Sequence, residues 1–186
     1  MARTARKEST SDIYHVMLRG INRQQIFLED EDNLHFLEIL KQCMEMSHFR
    51  LYAYCLMGNH VHLLLQTKDE PLGHVMKRIG TRYAVWYNYK YSRSGHLFQD
   101  RYKSEPVQDN AYFLTALRYI LNNPVKAGMC RRMEEYRFSS AADYFRGGGI
   151  TETAFAEELT GKEALLTYLN AHSDDRCMDD EGVDQR

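Results

Sequence analysis

Two apolar runs meet at Gly58-Asn59, and that junction restricts the fold more than any other feature of the chain. Residues 49–57 (F-R-L-Y-A-Y-C-L-M) alternate loosely, and residues 60–66 (H-V-H-L-L-L-Q) are compact and apolar apart from two histidines. Two short strands around a two-residue turn are the signature of a β-hairpin. On its N-terminal side, Tyr14 to Arg19 (Y-H-V-M-L-R) reads as a strand, broken by Gly20-Ile21-Asn22-Arg23. A helix is expected from about Asp32 to Ser47. Leu34, Leu37, Ile39, Leu40 and Met44 recur there at helical spacing, and acidic Glu29 to Asp32 suits its N-terminus. After the hairpin, Pro71-Leu72-Gly73 opens a helical stretch over about Gly73 to Tyr91. Leu97 to Val107 reads as extended, with Pro106 at its end. Asp109 to Asn122 reads as a further helix, capped by Asp109 and stopped by Pro124. The order is β-α-β-β-α-β-α. It predicts an α+β fold, ferredoxin-like βαββαβ, with an antiparallel sheet and an additional C-terminal helix.

At 186 residues the chain fits one domain with an appendage, long enough to bury a core without disulfides or structural metals. The expected divisions are a flexible leader over 1–12, a domain over 13–128, an extension and glycine linker over 129–149, and an acidic segment over 150–186. In that last segment 154–171 reads as one helix and 173–186 as disordered.

Net charge is -2, which at face value counts against a nucleic-acid partner. The average conceals a split. Residues 1–148 hold 21 Lys/Arg against 16 Asp/Glu, and residues 149–186 hold 3 against 10. A basic body of net +5 therefore carries an acidic end of net -7. If the acidic end masks the body, removing residues 149–186 should raise nucleic-acid affinity.

Several chemistries are excluded. Cys43, Cys55, Cys130 and Cys177 show no C-x-x-C pairing. No H-E-x-x-H, phosphate-loop or calcium-loop pattern occurs, and Gly147-Gly148-Gly149 lacks the Lys-Ser/Thr that would make it a phosphate loop. An amidohydrolase barrel needs about 250 residues. The charged N-terminus and the lack of any run approaching about 20 apolar residues point to a cytoplasmic chain with reduced thiols and no membrane partner.

Three features carry chemistry. His60 and His62 stand at i and i+2 on a strand, so both imidazoles leave one sheet face. That is two-thirds of a facial metal site, or two polar residues on a wet face. In the last helix Phe113, Leu114, Leu117, Ile120 and Leu121 form a core stripe. Tyr119 and Asn123 share a neighbouring face, where a phenol and an amide oxygen could meet, or where Tyr119 merely packs. Third, residues 73–104 hold Lys77, Arg78, Arg82, Lys90, Arg93, Arg101 and Lys103 against Asp100 alone. Tyr83, Trp86, Tyr87, Tyr89, Tyr91, Phe98 and Tyr102 interleave with them, as in single-strand binders that track phosphates with cations and stack bases on rings. The cluster Arg19, Asn22, Arg23 after the first strand offers further phosphate contacts.

The segments H-V-M-L-R-G-I-N-R-Q-Q-I-F, A-Y-C-L-M-G-N-H-V-H-L-L-L-Q, S-G-H-L-F-Q-D-R-Y-K-S and L-R-Y-I-L-N-N-P-V-K-A-G together resemble the single-tyrosine HUH transposases. Within these, the chain resembles the REP-associated tyrosine branch, related to insertion-sequence 200-like enzymes. The resemblance runs from about Tyr14 to Phe145, and it makes 13–128 the catalytic domain. A proline often stands in the family where Gly58 stands here. The resemblance implies a ferredoxin-like fold with a catalytic helix after the last strand. It places the metal-binding histidines at His60 and His62, the nucleophile at Tyr119 and an amide-type third ligand at Asn123. It implies Mg²⁺ or Mn²⁺, single-stranded or hairpin DNA as substrate, and nicking and rejoining through a 5′-phosphotyrosine. Such an enzyme would be nucleoid-associated, and a homodimer stays open. The alternative is a catalytically silent nucleic-acid-binding regulator on the same fold; a zinc hydrolase is a distant third.

Overall fold

The computed structural model describes residues 9–171. Strands β1 (Ile13–Arg19), β2 (Arg50–Met57), β3 (His60–Gln66) and β4 (Lys103–Pro106) form one sheet in the order β2-β3-β1-β4. Every neighbouring pair is antiparallel. Helices α1 (Asp30–Ser47) and α2 (Leu72–Lys90) cross between the strands, and α3 (Asn110–Lys126) follows β4. The fold is the α+β arrangement expected, with three short helices added: α4 (Ala141–Arg146), α5 (Ala154–Thr160) and α6 (Lys162–Asn170). Among the described residues no helix is long and apolar enough to cross a membrane.

Strand alternation divides the interior into two layers. Tyr14, Val16, Leu18, Val61, Leu63 and Leu65 face one side, where Val75, Met76, Ile79, Tyr83 and Tyr87 of α2 and Phe36, Ile39 and Leu40 of α1 cover them. Ile13 and Leu64 face the other side, against Phe113, Leu117, Ile120 and Leu121 of α3. The loose alternation of β2 has a physical cause. Its register slips between Leu51 and Ala53, a bulge that sends Tyr52 and Ala53 together into the α3 layer and restores alternation afterwards.

The two helices of the first layer are tied end to end. Asp32, fully buried, accepts from the backbone of Leu28 at 2.7 Å and Glu29 at 2.9 Å in a capping box at the start of α1. Lys90 at the end of α2 reaches the same carboxylate at 2.7 Å, and Tyr91 donates to it at 3.0 Å. Burial pushes the Asp32 carboxyl up, but Lys90, the Glu29 and Leu28 N–H groups and Tyr91 outweigh it and hold the group below the usual carboxylate range.

Four expectations need correction. The last helix does not stop before Pro124: α3 continues to Lys126. Proline removes its own N–H and its ring crowds the preceding turn, yet the chain recovers a further turn through Ala127 N–H to Asn123 C=O and Met129 N–H to Pro124 C=O, both 2.9 Å. The extended run 97–107 pairs as a strand only over 103–106. Its first part joins the end of β1 through Gln99 N–H to Arg19 C=O and Ile21 N–H to Leu97 C=O, each 2.9 Å. The expected acidic helix over 154–171 is two helices, parted at Gly161, whose φ of +81° no ordinary residue adopts comfortably. Residues 9–12 are tied down: Ser9 and Ser11 both donate to Val107 C=O, and Gln66 donates to Ser11 C=O.

Residues 129–149, expected as an extension and glycine linker, pack along the sheet. Leu56 N–H to Phe138 C=O and Ser140 N–H to Tyr54 C=O seal the outer edge of β2, and Tyr144 donates to Tyr52 C=O at 2.8 Å. Phe155 of α5 packs on Tyr52 and Phe113, and Leu165 and Leu169 of α6 are buried beneath α3. The tail 173–186 and leader residues 1–8 lie outside the described residues.

Candidate active site

The site is built from the β1–β3 pair and the helix that lies over it. His60 opposes Arg19, His62 opposes Met17, and His15 opposes Leu64. His15 and His62 are thus diagonal neighbours on the α3 face. Both are fully buried. Their rings meet with centroids 5.2 Å apart, and Nε2 of His15 lies 3.0 Å from Nδ1 of His62. The His60 and His62 rings are edge-on at 5.0 Å. Tyr119 descends from α3 onto this group. Its ring centroid lies 5.7 Å from that of His62 and 5.8 Å from that of His15, and the residue is only 7% exposed. Lys126, two turns further along α3, places its ammonium 5.3 Å from the Tyr119 ring.

The hairpin turn is held by a chain of contacts from the other layer. Tyr83 donates to Ile26 C=O at 2.5 Å and Tyr87 to Gln25 C=O at 3.1 Å. The Ile26 and Phe27 N–H groups then bind Gly58 C=O at 2.8 and 3.0 Å. Gly20 allows this close approach, since a Cβ there would strike the Gln24 carbonyl and Ile26. The space a side chain at Gly58 would need is taken by the Gln25 amide. This chain has therefore filled the room a proline would use. Asn59 Nδ2 donates to Arg23 C=O, and Asn59 Oδ1 meets Nδ1 of His60 at 2.6 Å.

That last contact fixes chemistry. An amide oxygen only accepts, so Nδ1 of His60 carries the ring proton and the lone pair lies on Nε2. Such an imidazole is a ready divalent-metal ligand. Among the described residues no group of three His, Cys, Asp or Glu side chains is placed to hold a metal. Asn123 follows Tyr119 by one helical turn on the same helix face and is half-buried.

The basic residues expected to contact DNA fall into two groups. Arg19 opposes His60, and the turn bearing Asn22 and Arg23, both at positive φ, is bonded to the Asn59 turn at the same end of the sheet. Lys103 opposes Met17 on β4, in line with His62, about 10 Å away across two strand spacings. Arg101 lies just before that strand and is exposed. Lys77, Arg78 and Arg82 sit on α2, in the layer beyond the sheet from Tyr119. There Arg78 pairs with Glu70 at 3.0 Å and Arg82 donates to Gln42 at 2.7 Å. Of the interleaved rings Tyr83, Tyr87 and Tyr102 are buried, Trp86, Tyr91 and Phe98 pack partly buried against the same core, and Tyr89 is 87% exposed. Helical periodicity explains this, since Ile79, Tyr83 and Tyr87 recur on the stripe that faces the sheet.

Sequence reasoning missed His15 and Lys126. His15 looked solitary because its partner lies 47 residues away, on a strand whose register the sequence does not state. Lys126 lies beyond Pro124, where the sequence predicts the helix to have ended, and the helix in fact runs on to include it.

Comparison with known proteins identifies the family. The model of the IS200-like transposase family matches residues 9–123. A REP-associated tyrosine transposase of Haemophilus influenzae is 27% identical over 131 residues, covering 64% of this chain and 73% of the relative. The structure of a REP-associated tyrosine transposase bound to a REP hairpin superimposes with a TM-score of 0.64 at 16% identity, over 82% of this chain and 94% of the other. The chain belongs to the IS200-like transposase family, and a transposase is a DNA-processing enzyme.

Proposed function

We propose that this protein is a metal-dependent endonuclease and strand transferase that nicks and rejoins single-stranded DNA at hairpin or palindromic sites through a 5′-phosphotyrosine. The observation that carries the reading is the convergence of His60, His62 and Tyr119, with ring centroids 5.0 and 5.7 Å apart on one sheet face. The REP hairpin in the similar structure supports a hairpin as substrate.

His60 and His62, with Asn123 as third donor, would hold a Mg²⁺ or Mn²⁺ ion, which would supply Lewis-acid polarisation of the scissile phosphate. The Tyr119 oxygen attacks phosphorus in line. One P–O bond forms to the phenol oxygen as the bond to the 3′-oxygen breaks. The phenol loses its proton, and the departing 3′-oxygen gains one. A 3′-hydroxyl reverses these steps, so strands are rejoined without another energy source. Lys126 bears the sign of charge that a developing phenolate requires. Arg19, Asn22, Arg23, Arg101 and Lys103 bind the phosphates on either side of the cleavage point. Lys77, Arg78 and Arg82 contact only DNA that extends around to the α1–α2 layer.

The test is incubation with labelled hairpin DNA and Mn²⁺, followed by a denaturing gel. A protein-linked DNA species is expected from the wild type and none from Tyr119→Phe, His60→Ala or His62→Ala. An adduct that persists in Tyr119→Phe refutes the nucleophile, and full activity of the histidine variants refutes the metal pair. Hairpin binding with no adduct under any divalent ion selects the silent regulator.

A further inference from the structure

We propose that His15 is a positioning residue whose Nε2 accepts the Nδ1 proton of His62 and so keeps the His62 lone pair on Nε2, facing the metal. The inference rests on the reading of His60 and His62 as the metal pair.

The contact is a bond between two ring nitrogens 3.0 Å apart, with both residues fully buried. A hydrogen bond between two imidazoles uses one proton, and it can sit on either ring. With the proton on His15, neutral His62 accepts at Nδ1 and carries its own proton on Nε2. That tautomer has no lone pair with which to bind a metal. With the proton on His62, Nδ1 donates and the lone pair lies on Nε2. His62 is therefore a ligand in only one arrangement, and in that arrangement His15 is the acceptor. The same logic operates one residue pair away, where Asn59 Oδ1 takes the Nδ1 proton of His60 at 2.6 Å. Each histidine of the pair is oriented by a neighbour outside the pair: one by the hairpin turn, the other by the adjacent strand.

Geometry adds a second constraint. His15 lies 5.8 Å from the Tyr119 ring, with an interplanar angle of 62°. It is thus in contact with both parts of the machinery, beneath the nucleophile and beside the ligand. Its Cα is held opposite Leu64, in the middle of the β1–β3 ladder, where the strand register leaves no freedom to shift.

Three proteins decide the matter: wild type, His15→Leu, which has no acceptor, and His15→Gln, whose amide oxygen restores one. In the metal-free wild type, nitrogen-15 NMR of the imidazoles should show His62 protonated at Nδ1. Mn²⁺ titration followed by electron paramagnetic resonance should show affinity about 10- to 100-fold weaker in His15→Leu. His15→Gln should recover most of that loss. Thermal unfolding of each variant establishes that it is folded. If His15→Leu does not fold, His15→Gln decides alone: near wild-type Mn²⁺ affinity supports the role, and a loss as large as that of His62→Ala overturns it. Unchanged Mn²⁺ affinity in folded His15→Leu, or a wild-type His62 protonated at Nε2, also overturns it. Unchanged Mn²⁺ affinity in both His60→Ala and His62→Ala is a different failure: it refutes the metal pair itself, and this inference with it.

Discussion

Tyr119 is held by rings and a cation rather than by its hydroxyl alone. His15, His62 and Lys126 all approach the aromatic face or edge, so removing the oxygen leaves the packing intact. Tyr119→Phe is therefore expected to keep its thermal midpoint and its hairpin affinity while nicking falls by about 10⁴-fold or more. Equal loss of binding and cleavage would mean that Tyr119 recognises DNA instead of attacking it. Lys126 is exposed, and its charge acts through solvent. Lys126→Gln is expected to slow nicking about tenfold with little change in stability, measured in single-turnover assays. These residues were unequally legible in the sequence. His60 and His62 announced themselves because a strand period of two puts them on one face. Tyr119 stood out only through its likeness to a known motif, being one of 13 tyrosines. His15 was invisible because a diagonal contact between strands depends on a register that local sequence does not encode.

Among the elements, the sheet and its two crossover helices were readable because each carries its own period, and the breaks were read less well. Pro124 signals a helix end by removing one donor, yet a buried apolar face from Phe113 to Leu121 outweighs one lost hydrogen bond. The β2 bulge blurred an alternation that is regular on either side of it. The tie between α1 and α2 offers a measurement at this scale. Asp32 is fully buried and Lys90 is 19% exposed, so Lys90→Met strands a buried carboxylate and should cost about 3 kcal/mol near neutral pH. The sign of the pH dependence follows from the two groups. Asp32 is held below its ordinary 3.8, so its contribution is present above that value and is lost as pH falls through the lower folded value. Lys90 is raised above its ordinary 10.5, despite the opposing effect of its own desolvation, by Asp32, Glu31, Tyr91 and Glu29; its contribution is present below 10.5 and is lost at higher pH. Urea unfolding followed by Trp86, the single tryptophan, which stacks on His35 in this layer, should show the gap between wild type and Lys90→Met at pH 7. It should narrow as the medium is taken below pH 3.8. A gap that stays constant down to pH 2 would remove Asp32 as the partner.

At the scale of the whole molecule, the division of charge between body and C-terminal end takes a different form from the one the sequence suggested. The sequence divides near Gly149, but the fold does not. Ile150 packs on the first core, Glu152 N–H bonds Leu51 C=O at 2.8 Å, and Phe155, Leu165 and Leu169 fill the second core. Asn122 of α3 donates to Leu169 C=O at 2.9 Å, and Arg118 stacks on Tyr168 at 3.9 Å. The helix that carries Tyr119 is thus buttressed by the segment that composition assigned to an appendage. Cutting after Gly149 would expose Tyr52, Phe113 and one side of α3, and the loss of buried Leu165 and Leu169 and partly buried Phe155 alone costs several kcal/mol. A test of charge masking therefore belongs further along the chain. Residues 172–186 hold six Asp/Glu against two Arg, net -4. Truncation after Ala171 should leave the thermal midpoint within about 2 °C, raise hairpin affinity and steepen its dependence on salt, because a basic body then meets phosphate without a competing anion. Truncation after Gly149 should lower the midpoint by 10 °C or more, at about 4–8 °C per kcal/mol for small domains and about half that for larger ones. Equal affinity and salt slope in the full chain and the shorter truncation would show that the acidic end does not reach the DNA-binding face, and that its charge is spent on something other than masking it.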